Sequence, residues 1–373
     1  MNINELQTPA ILLNLDVMEH NLKKYSNAAS DHNKQLWPMI KTHKSITLAK
    51  LQVKYGCTGF LCGTLDEAEM LADAGFNNIM YAYPVATDVS IDRVIRLSKR
   101  CNFILRIDSH EAAALIHQRA KANNVKINYT LIIDSGLHRF GIPADKAVSF
   151  VENMQVFDSL VFEGISTHTG QVYGGSDKED VIACAAEERN AICEAARALK
   201  NAGYQLEIIS SGTTPTFFEV LEDENINILH PGNYIFNDYI QQSLGIANES
   251  ECALYVLASV IAHPSDDLYI CDAGAKCLGL DKGAHGNESI KGYGYIKGHP
   301  ELTIYSLSEE VGKLHVNGST DIKIGDKLMI IPNHSCSTAN LTDYFIGIRE
   351  EQVEMAIKVD ARSNHTAKNY NIL

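Results

Sequence analysis

The chain has 373 residues, 45% hydrophobic and 21% charged, with a formal net charge of −14. It is long enough for two domains around a sizeable core, and the acidic balance argues against nucleic acid or an anionic membrane as partner. No apolar run reaches the ~20 residues of a membrane span. Met1 to Gln7 lacks the charged and apolar regions of a secretory signal. Nine scattered cysteines without a C-x-x-C pair predict reduced thiols in a cytoplasmic protein rather than a disulfide framework.

In chain order, Thr8-Pro9 introduces a short strand, Ala10 to Leu15, and Asp16 is placed to cap a helix carrying Met18, Leu22 and Tyr25 at helical spacing. Leu36-Trp37-Pro38-Met39-Ile40 then reads as an apolar strand that stops at Lys41 and runs into Thr42-His43-Lys44-Ser45, residues suited to a helix start. A lysine at the end of a buried strand is costly to keep charged, which makes its amine a usable nucleophile and base, as a Schiff-base lysine requires. The same pattern also describes a lysine that snorkels out to solvent.

From there strands and helices alternate. Further strands are expected at Gly59 to Cys62, Ile79 to Tyr83, Phe103 to Asp108, Tyr129 to Asp134, Val161 to Ser166, Leu206 to Ser210 and Ile226 to Leu229. Helices fall at Asp66 to Ala74, Val89 to Lys99 and His110 to Asn123. A long one starts at Ser176, which pairs with Glu179 as a capping box, and ends before Gly203. Eight β/α units between residues 36 and 229 are the arithmetic of an α/β fold of the (β/α)8 TIM-type barrel. Chemistry in that fold sits at the C-terminal strand ends, where Lys41, Tyr83, Asp108, Arg139, His168, Ser211 and His230 cluster. After Gly245 the pattern changes to short alternating strands, among them Ala253 to Ala262, Asp267 to Asp272 and Lys327 to Pro332. Gly-rich turns at 283–287 and 292–294 separate them. The division expected is a barrel over 16–245 and a C-terminal β-rich domain over 246–373, which the surplus strand of 1–15 can join.

Four loops carry candidate chemistry. Ser210-Ser211-Gly212-Thr213-Thr214-Pro215-Thr216 follows the seventh strand and suits a helix N-terminus that grips phosphate; a plain helix cap is the alternative. His230-Pro231-Gly232-Asn233-Tyr234 follows the eighth, and loops after strands seven and eight are the usual phosphate grip of such barrels. In Asp134-Ser135-Gly136-Leu137-His138-Arg139-Phe140-Gly141, an arginine held between glycines can aim a planar donor fork at a phenolate or carboxylate, or simply lie on a surface loop. His168-Thr169-Gly170-Gln171-Val172-Tyr173 can place an imidazole and a phenol over an aromatic ligand; a satisfied structural histidine fits equally. In the second domain, Ile330-Ile331-Pro332-Asn333-His334-Ser335-Cys336 puts His334 and Cys336 on one side of an extended chain. Imidazole with thiolate is a zinc-type donor pair that leaves positions open for substrate, although H-x-C spacing alone is a weak signal.

These pieces, in order, resemble the D-serine dehydratase/D-threonine aldolase family of fold-type III pyridoxal-phosphate enzymes. The matching motifs are Thr8-Pro9, Pro38-x-x-Lys41-Thr42-His43-Lys44, Asp134-Ser135-Gly136-x-x-Arg139-x-Gly141, Pro231-Gly232-x-Tyr234, Asp272-Ala273-Gly274-x-Lys276 and Pro332-Asn333-His334-x-Cys336. The resemblance covers nearly the whole chain. It implies an alanine-racemase-like N-terminal barrel with Lys41 as the Schiff-base lysine, Arg139 near the pyridoxal ring oxygen and His168 near the ring face. It also implies Ser211, Gly212, Thr213, Gly232 and Tyr234 around the phosphate, Tyr173 close to the imine, His334 and Cys336 on a divalent metal, and a homodimer. His-x-Cys resembles the dehydratases, whereas the aldolases tend to carry His-x-Asp. The activity implied is metal-assisted β-elimination of a D-3-hydroxy amino acid, D-serine to pyruvate and ammonia. A D-threonine-type aldolase is the alternative, followed by an amino-acid racemase and a non-catalytic pyridoxal-phosphate carrier.

Overall fold

The computed structural model describes residues 1–282, 287 and 289–363; of the glycine turn expected at 283–287, only Asn287 lies within the described residues. Strand β1 (Ala10–Asn14) leads into helix α1 (Leu15–Asp31). The N-cap is Asn14, whose side chain accepts from the Val17 amide at 3.1 Å, and not Asp16. The helix starts two residues earlier than the pattern suggested, so Asp16 falls in its first turn, where a carboxylate complements the dipole.

Eight parallel strands follow: β2 (Gln35–Leu36), β3 (Phe60–Cys62), β4 (Asn78–Tyr81), β5 (Asn102–Ile107), β6 (Ile127–Ile132), β7 (Leu160–Ser166), β8 (Ile208–Ser211) and β9 (Ile228–Leu229). They pair in the order β2-β9-β8-β7-β6-β5-β4-β3. A parallel bridge between Met39 and Leu61 brings the two edges together, so the sheet is a nearly closed barrel. The helices that follow the first strands, α2 (Ile46–Lys54), α3 (Leu65–Asp73), α4 (Asp88–Ser98) and α5 (His110–Ala122), are capped by the hydroxyls of Ser45, Thr64, Thr87 and Ser109. Each cap satisfies an amide that the helix cannot bond itself. The lumen is filled by Trp37, Met39, Leu61, Met80, Ala82, Ile104, Ile208 and Ile228.

Three local expectations are corrected. Only Gln35 and Leu36 make the β2 ladder, because Pro38 has no N–H to give. Trp37 and Met39 still donate to the carbonyls of Leu229 and Pro231 at 2.8 and 3.0 Å, and the chain turns into a single 3-10 turn, Ile40–Thr42, that carries Lys41. After α6 (Ala147–Met154), the long helix α7 (Lys178–Asn201) is capped by Asp177, whose carboxylate accepts from the amides of Glu179 and Asp180. The Ser176/Glu179 box does not form, since a carboxylate one residue closer takes both amides. Helix α8 (Phe217–Val220) begins two residues beyond Pro215, which lies in the preceding turn and not at the first helical position.

The second sheet is built from β10 (Leu254–Ser265), β11 (Leu268–Cys271), β12 (Tyr295–Ile296), β13 (Leu302–Leu307), β14 (Gly312–Val316), β15 (Lys327–Ile331), β16 (Tyr344–Arg349) and β17 (Gln352–Lys358). Its order is β13-β14-β11-β10-β1-β16-β17, with β15 on β10 and β12 on β15. β1 lies inside it, antiparallel to β10 and parallel to β16. All nine cysteines are unpaired. Among the described residues no helix is long and apolar enough to cross a membrane.

Candidate active site

The C-terminal ends of the barrel strands and the loop after β15 line one cavity that opens to solvent. Lys41, Tyr83, Arg106, Arg139, His168, Tyr173, Thr213, His230, Gly232 and Asn233 line it from the barrel, and His334 and Cys336 from the second domain. The chain around Lys41 divides its tasks. Lys41 is half-buried at the cavity. Thr42 meets Cys336, the thiol and hydroxyl being 3.4 Å apart. His43, fully buried, shares Nε2 with Gln52 Oε1 at 3.1 Å and accepts the Ser45 amide on Nδ1. Lys44 pairs with Glu67 at 2.9 Å in near-complete burial. Removing one partner of such a pair costs about 3–5 kcal/mol, so the turn that presents Lys41 is held on both sides.

Arg139 is exposed at the cavity rim, its guanidinium 5.7 Å from the Tyr83 ring and 5.3 Å from that of Phe140. Its loop is shaped by Asp134, whose carboxylate accepts the amides of Gly136 and His138 at 3.1 Å each. The loop closes at Gly141, with φ +99°, where a Cβ would stand 2.7 Å from the Asp134 nitrogen, so only glycine fits. Asp108, expected among the reactive strand-end groups, accepts the Gly141 amide at 3.0 Å and so anchors this loop.

Arg106 carried no expectation. It lies on the same face of β5 as Ile104, in the lumen, and is buried. It donates to His230 Nε2 at 3.1 Å and Ser210 Oγ at 3.4 Å. Burial lowers its pKa to about 9. An arginine within an otherwise apolar strand, Phe103-Ile104-Leu105-Arg106-Ile107, is the signal that marks it, because a buried charge is expensive wherever it has no task. His230, which accepts from Arg106, has its imidazole held well below the usual value by burial and by that guanidinium. Among the described residues, its buried Nδ1 has no partner that meets hydrogen-bond geometry. His168 is likewise held well below, by burial and then by neighbouring cations, Lys41 first. Burial raises the Tyr173 phenol, keeping it protonated.

Of the five residues expected at a phosphate, Thr213 and Gly232 line the cavity. Ser211, Gly212 and Tyr234 do not. The Ser211 hydroxyl and the Gly212 amide both donate to Glu188 Oε1, at 2.8 and 2.7 Å. Glu188 is fully buried, its carboxyl raised by that burial, and a buried carboxylate takes whatever donors are near. The Tyr234 ring packs in the core 4.8 Å from Tyr25, and its hydroxyl accepts from Gln52 at 3.0 Å.

His334 and Cys336 meet, but not on an extended strand. β15 ends at Ile331, His334 is an N-cap, and Cys336 lies in the helix Ser335–Asn340. Pro332 cannot continue the ladder, and the Ser335 amide is taken by Asp238 at 2.9 Å. Burial disfavours both charges, yet each partner outweighs it: His334 is raised well above its usual value by Cys336 and Asp281, and Cys336 is lowered by His334. Across the pair, each group thus favours the charged form of the other. Asp281 Oδ2 binds His334 Nδ1 at 2.7 Å and also accepts from Ser337 at 2.8 Å, which orients the imidazole.

The donors fit pyridoxal phosphate: an amine for the aldehyde, Arg139 at the rim, the buried His230 Nδ1, and a cradle at Gly232, where a Cβ would stand 3.1 Å from both Met39 Cβ and Thr42 Oγ1. Thiolate and carboxylate-oriented imidazole fit a soft divalent ion with open positions. Among the described residues no cluster of three or more His, Cys, Asp or Glu side chains forms a closed metal cage.

Residues 13–239 match the family model described as alanine racemase, N-terminal domain, and residues 253–348 match that of a putative serine dehydratase domain. The chain is 29% identical to D-threo-3-hydroxyaspartate dehydratase of a Delftia species, over 89% of this chain and 92% of that one. The solved structure of that enzyme superposes with a TM-score of 0.89 at 27% identity, covering 96% and 98% of the two chains. D-serine dehydratase of Dictyostelium discoideum is 28% identical, over 96% of this chain and 97% of its own. 3-Hydroxy-D-aspartate aldolase of Paracoccus denitrificans is 29% identical, over 97% and 94%.

Proposed function

Because the chain belongs to the alanine-racemase-like pyridoxal-phosphate family that joins an alanine racemase N-terminal domain to a serine dehydratase domain, we propose that it eliminates water from a D-3-hydroxy amino acid, D-serine being the first choice, and that the enamine so formed takes up water to give a keto acid and ammonia. One observation carries this reading. The Lys41 amine and the His334/Cys336 pair face a single cavity from two domains, so a proton can be removed on one side while an oxygen leaves on the other. Pyridoxal phosphate supplies the electron sink that makes the substrate Cα–H acidic, and a divalent metal supplies the Lewis acidity a departing hydroxide needs.

The chain's own residues do the rest. Lys41 would hold the cofactor through its amine, and Nζ is the atom of this chain placed to take the substrate Cα proton. Arg139 would donate toward the cofactor from the rim. His168, held neutral by burial, would adjoin it without adding a charge. Thr213, Gly232 and Asn233 hold the phosphate; the Ser211, Gly212 and Tyr234 contribution is to brace those loops through Glu188 and the core. The protonated Tyr173 phenol stands at the substrate's side as a donor. His334 and Cys336 hold the metal, which we take to be zinc on the softness of the thiolate. We further propose a cytoplasmic homodimer.

The test is to incubate the purified protein with D-serine, with and without a chelator, and follow keto-acid formation. Turnover that stops on chelation and returns with zinc is expected; turnover indifferent to chelator removes the metal from the reaction, and no turnover on any D-3-hydroxy amino acid overturns the proposal. A second reading has one observation in its favour: the Paracoccus aldolase is as similar in sequence as the Delftia dehydratase. Glycine plus an aldehyde as products would select it.

A further inference from the structure

Asp238 is fully buried and forms no part of the cavity wall, yet its carboxylate touches both halves of the site. Oδ2 accepts from the Asn233 side-chain amide and from the Ser335 backbone N–H, the latter at 2.9 Å. Oδ1 accepts the Gln241 amide at 3.1 Å and so caps the short helix Tyr239–Ser243. Asn233 follows Gly232 in the loop after β9 and lines the cavity; Ser335 stands between His334 and Cys336. The Ser335 hydroxyl closes the triangle by donating to Asn233 Oδ1 at 3.1 Å. Two backbone bonds stitch the same segments together, Tyr239 N–H to the Pro332 carbonyl at 3.0 Å and Ile240 N–H to the Asn333 carbonyl at 3.3 Å.

Capping a helix needs only Oδ1. Oδ2 does something different: a single oxygen is shared by an amide of the barrel loop and an amide of the loop that carries His334 and Cys336. Neither loop can shift without altering the other's hydrogen bond, and in a buried network such bonds are strong and mutually dependent.

We propose that Asp238 is a positioning residue that couples the Gly232–Asn233 loop to the His334/Cys336 pair, so that pyridoxal phosphate and a divalent metal bind cooperatively. The inference rests on the cofactor-and-metal reading above and goes beyond it, since that reading is equally satisfied by two independent sites. Linkage requires the effect to be mutual: a metal that orders the His334/Cys336 loop raises the affinity of the barrel loop for the cofactor, and the cofactor raises metal affinity by the same factor.

The test is a titration of the full-length protein, stripped of cofactor, with pyridoxal phosphate, followed by absorbance in the presence of either EDTA or zinc. The wild type is expected to bind pyridoxal phosphate at least about fivefold more tightly with zinc, the lower end of ordinary couplings. In Asp238→Asn, which keeps an acceptor for the Gln241 amide but sets an NH2 against one of the Oδ2 donors, the ratio is expected to fall close to one while both ligands still bind. A purely structural Asp238 would weaken both affinities and leave the ratio as in the wild type, which overturns the proposal. Ser335→Ala removes only the hydroxyl bond to Asn233; it is expected to give an intermediate ratio, and it carries the test should circular dichroism show Asp238→Asn unfolded. A wild-type ratio of one overturns the coupling alone. Failure of the wild type to bind pyridoxal phosphate at all overturns the functional reading and the coupling with it.

Discussion

Lys41 stands one residue into a 3-10 turn, with Thr42 against Cys336 and Lys44 against Glu67, so its amine is presented by neighbours that cannot easily rotate. Lys41→Ala is expected to fold normally, to lose the absorbance of the lysine-bound cofactor, and to lower turnover by about 10²–10⁴, the range of a general base. Near-normal turnover with free pyridoxal phosphate would show that Lys41 only tethers. Asp281 acts at one remove. Its bond to His334 Nδ1 fixes which imidazole nitrogen faces the thiolate, and loss of such a carboxylate costs about 10–100-fold in metal affinity. Asp281→Asn should therefore weaken zinc binding in a competition assay with little change in thermal stability. Arg106 shows why some residues escape a reading of the sequence. A charge in a β-strand looks like an edge or a register break until the closed sheet shows that its face is the lumen.

At the scale of elements, the site depends on how strands end. Pro38 stops β2, Pro332 follows the end of β15, and in each case the candidate site residues come just after, on a turn or a helix start rather than on the strand. The extended chain expected over His334 and Cys336 is thus replaced by a helix start, on which the two side chains still adjoin. Helix α7 offers a clean check on capping. Asp177→Ala should cost about 1 kcal/mol of stability, measured by urea denaturation, whereas Ser176→Ala should be close to neutral; the reverse result would restore the Ser176/Glu179 box. The Asp134 loop was legible down to its glycines, because positive φ at Gly136 and Gly141 is a demand that few residues meet.

For the whole molecule, the buried histidines set the response to acid. His43 is lowered to about 4 by burial, and His168 and His230 are held well below their usual value by burial and neighbouring cations. Their native pKa values lie below the unfolded value near 6.5, so the unfolded chain binds protons first as pH falls. The stability tied to these neutral imidazoles is complete above about pH 6.5 and is lost below it. For His43 alone the loss by pH 4 is about 3 kcal/mol. His334 has the opposite sign: raised by Cys336 and Asp281, it contributes below the unfolded value and stops contributing as pH rises through its own. With His43 lowered to about 4, Gln52 its partner, the burial of that imidazole predicts a lower urea midpoint at pH 5 than at pH 7.5; a His43→Gln variant with the same midpoint shift as the wild type would mean that His43 is not held neutral.

The alternation of apolar strands and capped helices determined the barrel, because hydrophobic period and cap chemistry are local and survive in the bare sequence. The run of motifs from Lys41 to Cys336 determined the family for the same reason. Tertiary structure alone decided the rest. That Ser211 and Gly212 turn to Glu188, that Tyr234 goes into the core, and that Asp238 joins two loops 102 residues apart all follow from which buried polar groups meet. Burial makes each such group take a partner, and only the folded chain determines who is near enough to be one.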